Sequence, residues 1–156
     1  MRFYEFEAKR LLAKQRVPLP KGGTAKTPAE AKRLAAEIGG PVVLKSQVLS
    51  GGRMKAGGVK FAESPEEAQR AAAGILKLPI RDQLPVCVSV EQKAAVKKEY
   101  YLGVTYDALA KLPVMILSDM GGIDIEEVAE KHPEHVAKAH FSTLTPFTDF
   151  RAKELV

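Results

Sequence analysis

Cysteine is nearly absent. Cys87 stands alone among 156 residues, which excludes an internal disulfide and any cysteine-based zinc site within the chain. Long apolar runs are missing as well. Nothing approaches the ~20 residues of a membrane-spanning helix, and Met1 to Lys14 alternates charged and apolar positions instead of building the apolar centre of a signal peptide. No membrane partner is expected, and the location expected is cytoplasmic, or an organelle matrix after processing. Aromatics make up only 6% of the chain and no block reaches five like charges, so the net charge of +5 lacks the stacking surface and basic stripe of a nucleic-acid binder. The positive balance still points to an anionic partner. The 46% apolar content suits one ordinary domain or two small lobes with a buried core.

Helix signals are plain. Phe3, Phe6, Leu11 and Leu12 recur near helical spacing until Pro18 and Pro20, which predicts a helix over Tyr4 to Gln15. Thr27-Pro28-Ala29-Glu30 is a capping box with proline at the first helical position, followed by Ala31, Leu34, Ala35 and Ile38 on one face and Gly39-Gly40 as the stop. Ser64-Pro65-Glu66-Glu67 repeats the design and opens a helix to about Leu76. Between and after the helices, β-branched runs predict five strands: Pro41 to Val48, Gly58 to Ala62, Val86 to Gln92, Tyr100 to Tyr106 and Pro113 to Ser118. The first two are joined by a glycine-rich loop and the later ones by short connections. The expected class is therefore α+β, with largely antiparallel sheets and flanking helices. An acidic helix start follows over Asp124 to Lys131, then an extended stretch around Ala137 to Leu144. Arg151 to Val156 reads as the opening turns of another helix with no stop signal, so the fold is expected to be incomplete at the carboxyl end.

The densest chemical signal runs from Val42 to Lys60: an apolar strand carrying Lys45, a loop with glycine pairs at Gly51-Gly52 and Gly57-Gly58 and the cations Arg53 and Lys55, then a second strand. Glycines let backbone amides approach an anion, and the cations complement phosphate. The pattern is not a Walker A loop, because G-x-x-x-x-G-K-[ST] is missing and a strand follows. Two readings stand side by side: a flap over a triphosphate, or a long hairpin whose glycines serve the turn and whose cations keep it soluble. Val43, Leu44 and Val48 surround Lys45, so its ammonium must reach solvent or an anion. Glu91 and Glu99, at the end of one strand and the start of another, either accept hydrogen bonds from ribose hydroxyls in a common cleft or are solvated strand-end charges. Lys60 reads as an exposed strand end. His132 and His135 read as surface residues, no catalytic role is expected of them or of His140, and Asp119 and Asp124 read as loop and helix-start residues.

Five segments in order, Tyr4-Glu5-Phe6-Glu7-Ala8-Lys9, Lys45-Ser46-Gln47-Val48, Gly51 to Lys60, Lys98-Glu99-Tyr100-Tyr101-Leu102-Gly103 and Gly121-Gly122-Ile123-Asp124-Ile125-Glu126-Glu127-Val128-Ala129, resemble the β subunit of succinyl-CoA synthetase. They span nearly the whole chain, to Ala152-Lys153-Glu154-Leu155. The resemblance implies the amino-terminal part of an ATP-grasp fold, in which two α+β lobes clamp a nucleotide. Residues 1–20 would be a helix belonging with the second lobe, 21–98 the first lobe with its glycine-rich loop, and 99–156 the start of the second lobe. It implies an enzyme that converts a carboxylic acid, CoA and ATP to acyl-CoA, ADP and phosphate through a phosphohistidine of the α subunit, its partner. Malate–CoA ligase, citrate-cleaving relatives and a non-catalytic anion-binding module are the alternatives.

By the same resemblance, Lys45 falls where the family contacts ATP phosphates and Gly52 with Arg53 falls on the phosphate loop. Glu91 matches the hinge position beside the adenine, and Glu99 the nucleotide-contacting acid before Tyr-Leu-Gly. Pro20 resembles the ATP-using members, with GTP still open. Met54 replaces a glycine usual in the family. It also belongs to the expected nucleotide-binding set, and strain is expected there if the backbone requires positive φ. CoA would be a substrate of the whole enzyme, and Mg²⁺ would be held by residues outside this chain. The chain alone is expected to be catalytically inactive.

Overall fold

The computed structural model describes residues 2–122 and 124–156, so that Met1 and Ile123 of the glycine motif lie outside the described residues. The chain forms two compact units, one ending at Ala95 and the other running from Val96 to Val156.

The first unit contains α1 (Glu5–Lys14), β1 (Gly22–Ala25), α2 (Pro28–Ile38), β2 (Val42–Ser46), β3 (Val59–Ala62), α3 (Pro65–Ile75) and β4 (Val88–Gln92). Its strands form a sheet of order β1-β4-β2-β3, and every neighbouring pair is antiparallel. The strand latest in sequence therefore stands between two earlier ones. Both expected caps are built: Thr27 Oγ1 accepts from the Glu30 amide at 3.2 Å, and Ser64 Oγ accepts from the Glu67 amide at 3.2 Å. The carboxylates of Glu30 and Glu67 close back onto the amides of Lys26 and Glu63. Gly39 ends α2 in the left-handed region at φ 78°, the role its place after Ile38 demands.

Strand alternation divides the sheet chemically. Val42, Leu44, Val88 and Val90 face α2 and α3, where Ala31, Ala35, Ala68 and Ala72 let both helices pack closely against them. The other face receives Lys45 and, directly opposite it, Ser89, while Glu91 stands opposite Val43. Lys60 pairs with Leu44 in register and is exposed, so it belongs to the helix-covered side at the sheet edge. α1, which the resemblance assigns to the second lobe, makes contacts here with the first unit's sheet: the Phe6 amide donates to Gln47 Oε1 at 3.1 Å. No residue of α1 is fully buried.

β1 has no counterpart among the strands expected from sequence. Gly22 and Gly23 lie in register with Glu91 and Val90. A Cβ on Gly22 would come within 2.9 Å of the Glu91 Cα, so the close approach of β4 requires the glycine.

In the second unit, β5 (Tyr101–Asp107), β6 (Leu112–Ser118) and β7 (Val136–His140) form an antiparallel sheet in that order. The extended stretch expected near Ala137 to Leu144 is β7, beginning one residue earlier and ending at His140. α4 (Ile125–Lys131) starts after Asp124 and buries Val128, a 3-10 turn covers Pro133–His135, and α5 (Asp149–Lys153) begins two residues before the helix expected at Arg151. Leu102, Val104 and Tyr106 leave one face of β5 apolar and exposed. The antiparallel α+β expectation holds in both units.

Candidate functional site

The loop between β2 and β3 is shaped by its glycines. The amides of Ala56, Gly57 and Gly58 turn back to the carbonyls of Gly52, Met54 and Arg53 at 3.1, 3.0 and 2.7 Å, giving a compact helical turn. Positive φ falls on Gly52 (81°) and Gly57 (80°). Met54 is not among the positive-φ residues and its side chain points into solvent, so the strain expected from a methionine here does not arise. Gly58 closes the loop where space has run out. A Cβ there would stand 2.5 Å from Ser46 Oγ, 2.6 Å from Ile80 Cδ1 and 3.0 Å from the Arg53 carbonyl.

Lys45, Arg53 and Glu91 come together on the sheet face opposite α2 and α3. Lys45 Nζ donates to Glu91 Oε2 at 2.9 Å and to Glu5 Oε1 at 3.3 Å. Arg53 pairs with Glu5 and also donates to the Ser46 carbonyl at 3.3 Å. Lys9 bridges the two acids, 2.8 Å from Glu5 and in contact with Glu91. Three cations thus enclose two carboxylates. Lys45 does have an anion, as its half-buried setting requires, but the anion is protein carboxylate. Glu91 is correspondingly buried and ion-paired, which overturns the reading of it as a solvated strand-end charge. Burial alone would push the Glu5 carboxyl up; the Lys9 hydrogen bond and the charges of Arg53, Lys45 and Lys9 outweigh it and hold the group down at about 2. For Lys9, burial pulls the ammonium down, and its bonds to Glu5 and Glu91 raise it above the ordinary value.

Gln47 holds this face in order. It is fully buried, and its amide donates to the Lys45 carbonyl at 3.2 Å and to Ser89 Oγ at 3.3 Å while its oxygen receives the α1 amide. Beside the network, Phe6, Lys9, Arg10, Pro20, Gly23 and Glu91 help line a cleft of about 390 Å³. Glu5, Lys9 and Gln47 were not assigned a role by sequence reasoning. The Glu5/Lys9 spacing of one helical turn was the available signal for the first two.

Glu99 belongs to the second unit, where it is exposed and its carbonyl accepts from the Gly121 amide at 3.1 Å. A Cβ on Gly121 would come within 2.5 Å of the Glu99 carbonyl carbon, so this glycine is needed to seat Glu99. His132 and His135 are exposed, as expected, and so is His140. His135 lies 2.7 Å from Asp119, which it holds below the ordinary carboxylate range, and His140 does the same to Asp107 at 2.8 Å. Among the described residues, no cluster of three His, Cys, Asp or Glu is placed to hold a metal, and no helix is long and apolar enough to cross a membrane.

Comparison with known proteins places this geometry among relatives. The family model described as the ATP-grasp domain matches residues 2–156. The ADP-forming succinate–CoA ligase β subunit of Methanothermobacter thermautotrophicus is 40% identical over 99% of this chain and 42% of its own length. The GDP-forming β subunit of Thermus thermophilus is 45% identical over the whole chain and 41% of its own length. The chain thus spans about two-fifths of these relatives. Among solved structures, the dinucleotide-forming acetyl-coenzyme A synthetase 1 of Ca. Korarchaeum cryptofilum, in complex with coenzyme A and Ca-AMPCP, matches 98% of this chain and 64% of that one with a TM-score of 0.77 and 25% identity.

Proposed function

The chain belongs to the ATP-grasp domain family, and on that premise we propose that it is the nucleotide-binding, amino-terminal part of the β subunit of an acid–CoA ligase of the succinyl-CoA synthetase type. The whole enzyme would convert a carboxylic acid, CoA and ATP to acyl-CoA, ADP and phosphate, with a phosphohistidine-bearing α subunit as partner, in the cytoplasm. Both ADP-forming and GDP-forming relatives match, so ATP and GTP are both candidate nucleotides. Lys45 and Arg53 neutralise phosphate charge, and the amides around Gly52 and Met54 approach the same oxygens. Glu91 holds Lys45 in place, and Glu99 accepts from the nucleoside. No cluster of three His, Cys, Asp or Glu among the described residues is placed to hold a metal, so the ligands of Mg²⁺ would lie elsewhere in the enzyme.

The observation that carries this reading is the convergence of Lys45 and Arg53 on one half-buried anionic position beneath a glycine-built loop. Such sites are worth a charge-assisted hydrogen bond to each cation. Work here is by positioning and electrostatics. In calorimetry, Lys45→Ala and Arg53→Ala should each weaken ATP binding by about 10- to 150-fold, the equivalent of ~1.5–3 kcal/mol, with adenosine binding little changed. Lys60→Ala, at the edge of the opposite side of the sheet, should leave ATP binding intact. Equal losses for Lys45→Ala and Lys60→Ala would remove the support for a phosphate site.

A further inference from the structure

Lys45 and Arg53 already share a ligand. Glu5 presents Oε1 to Lys45 at 3.3 Å and Oε2 to Arg53, so its two oxygens occupy the position at which both cations converge. A carboxylate and a phosphate offer these donors the same thing, anionic oxygens spaced for two N–H groups. The two acids of the network differ in how they are held. Glu91 lies in the central strand β4, paired by its backbone to β1 and β2 and almost wholly buried, so it cannot leave without opening the sheet. Glu5 sits in the first turn of α1, which has no fully buried residue and leaves Leu11 and Leu12 about half exposed. α1 is joined to the sheet by polar contacts: Glu5 to Lys45 and Arg53, Lys9 to Glu91, and the Phe6 amide to Gln47. Separating such a helix from the sheet breaks these polar contacts and uncovers no fully buried side chain.

Resting on the assignment of Lys45 and Arg53 to phosphate, we propose that Glu5 is a built-in stand-in for a nucleotide phosphate, and that a polyphosphate enters this site only by displacing Glu5 and releasing the start of α1 from the sheet. The contact is autoinhibitory. It keeps both cations paired when nucleotide is absent, and it lowers apparent affinity by the fraction of molecules in which Glu5 holds the site. It also discriminates by charge, because adenosine has no oxygens with which to compete.

Calorimetric titration of the whole chain with inorganic tripolyphosphate, ATP and adenosine tests this. Glu5→Gln, which keeps the side-chain size and removes the charge, should bind tripolyphosphate and ATP about tenfold more tightly than the parent chain, with adenosine unchanged. Glu37→Gln, at an exposed position on α2, should change nothing. If Glu5→Gln binds no more tightly while Lys45→Ala still weakens ATP binding, the phosphate site stands and the gate is overturned. If neither the parent chain nor Glu5→Gln binds tripolyphosphate or ATP, the phosphate assignment falls and the gate with it. A measurement on the unsubstituted chain does not depend on how any variant folds: tripolyphosphate should speed hydrogen exchange at the amides of the α1 segment Glu5–Lys14, and unchanged or slower exchange there overturns the proposal.

Discussion

Replacing Glu91 by alanine should be among the most damaging single changes available in the first unit. Glu91 is 5% exposed and accepts from both Lys9 and Lys45. Removing one member of a buried pair costs ~3–5 kcal/mol when the remaining charge is left stranded. Here the stranded charges are two, but each keeps Glu5 as a second partner and about a quarter or less of its side chain remains solvated. Those compensations reduce the expected loss to about 2–3 kcal/mol. In urea unfolding, with a slope typical of a small protein, the midpoint should fall by about 1–2 M. Raising the salt concentration to 1 M should leave most of the difference in place, since a buried pair is poorly screened, whereas a loss from exposed pairs would fade. Glu37→Ala, on an exposed helix face, is the reference. A Glu91→Ala midpoint within about 0.3 M of that reference would mean the carboxylate is not holding its two cations.

Two further outcomes follow from the same geometry. Glu5 faces Lys9 on its own helix, Lys45 from β2 and Arg53 from the loop, with Glu91 close by, and its folded-state value of about 2 lies below the ordinary 4.5. The unfolded chain therefore binds the extra proton between those values: the stabilisation is complete above pH 4.5 and is lost as pH falls toward 2. With solvent reaching about a fifth of the side chain, it should amount to about 1–2 kcal/mol. Unfolding curves at pH 5 and pH 2.5 should show a smaller fall for Glu5→Gln than for the parent chain, and equal falls would contradict the network. Gly58→Ala should cost about 1–3 kcal/mol, because its methyl meets Ser46, Ile80 and the Arg53 carbonyl at 3.0 Å or less. A thermal melt unchanged from the parent would show that the loop closes differently.

Local chemistry made much of this fold legible. Thr27 and Ser64 cap where proline and glutamate follow them, and Gly39 stops α2, because each such signal is satisfied within a few residues. β1 was hidden because the reason for Gly22 is the backbone of β4, far away in sequence. The site was half visible. Lys45 and Arg53 could be singled out by their setting, but sequence left the partner of Lys45 open between solvent and an anion. The carboxylates that meet it come from a helix forty residues upstream and a strand still further downstream. The backbone at Met54 was not legible for a related reason: which loop residues turn left-handed depends on how the loop folds back on itself, and Gly52 and Gly57 take that role.

The central position of β4 also bears on the order of assembly. Until Val88 to Gln92 have left the ribosome, Gly22 to Ala25 have no strand beside them, and β2 has only its hairpin partner β3. An emerging chain can form α2, α3 and the β2–β3 pair from nearby contacts, but it cannot join β1 to them. That closure is non-local and should be the slow step of folding. It is also the step that carries Glu91 into place, so the cations of the site gain their buried carboxylate only when the sheet itself is complete.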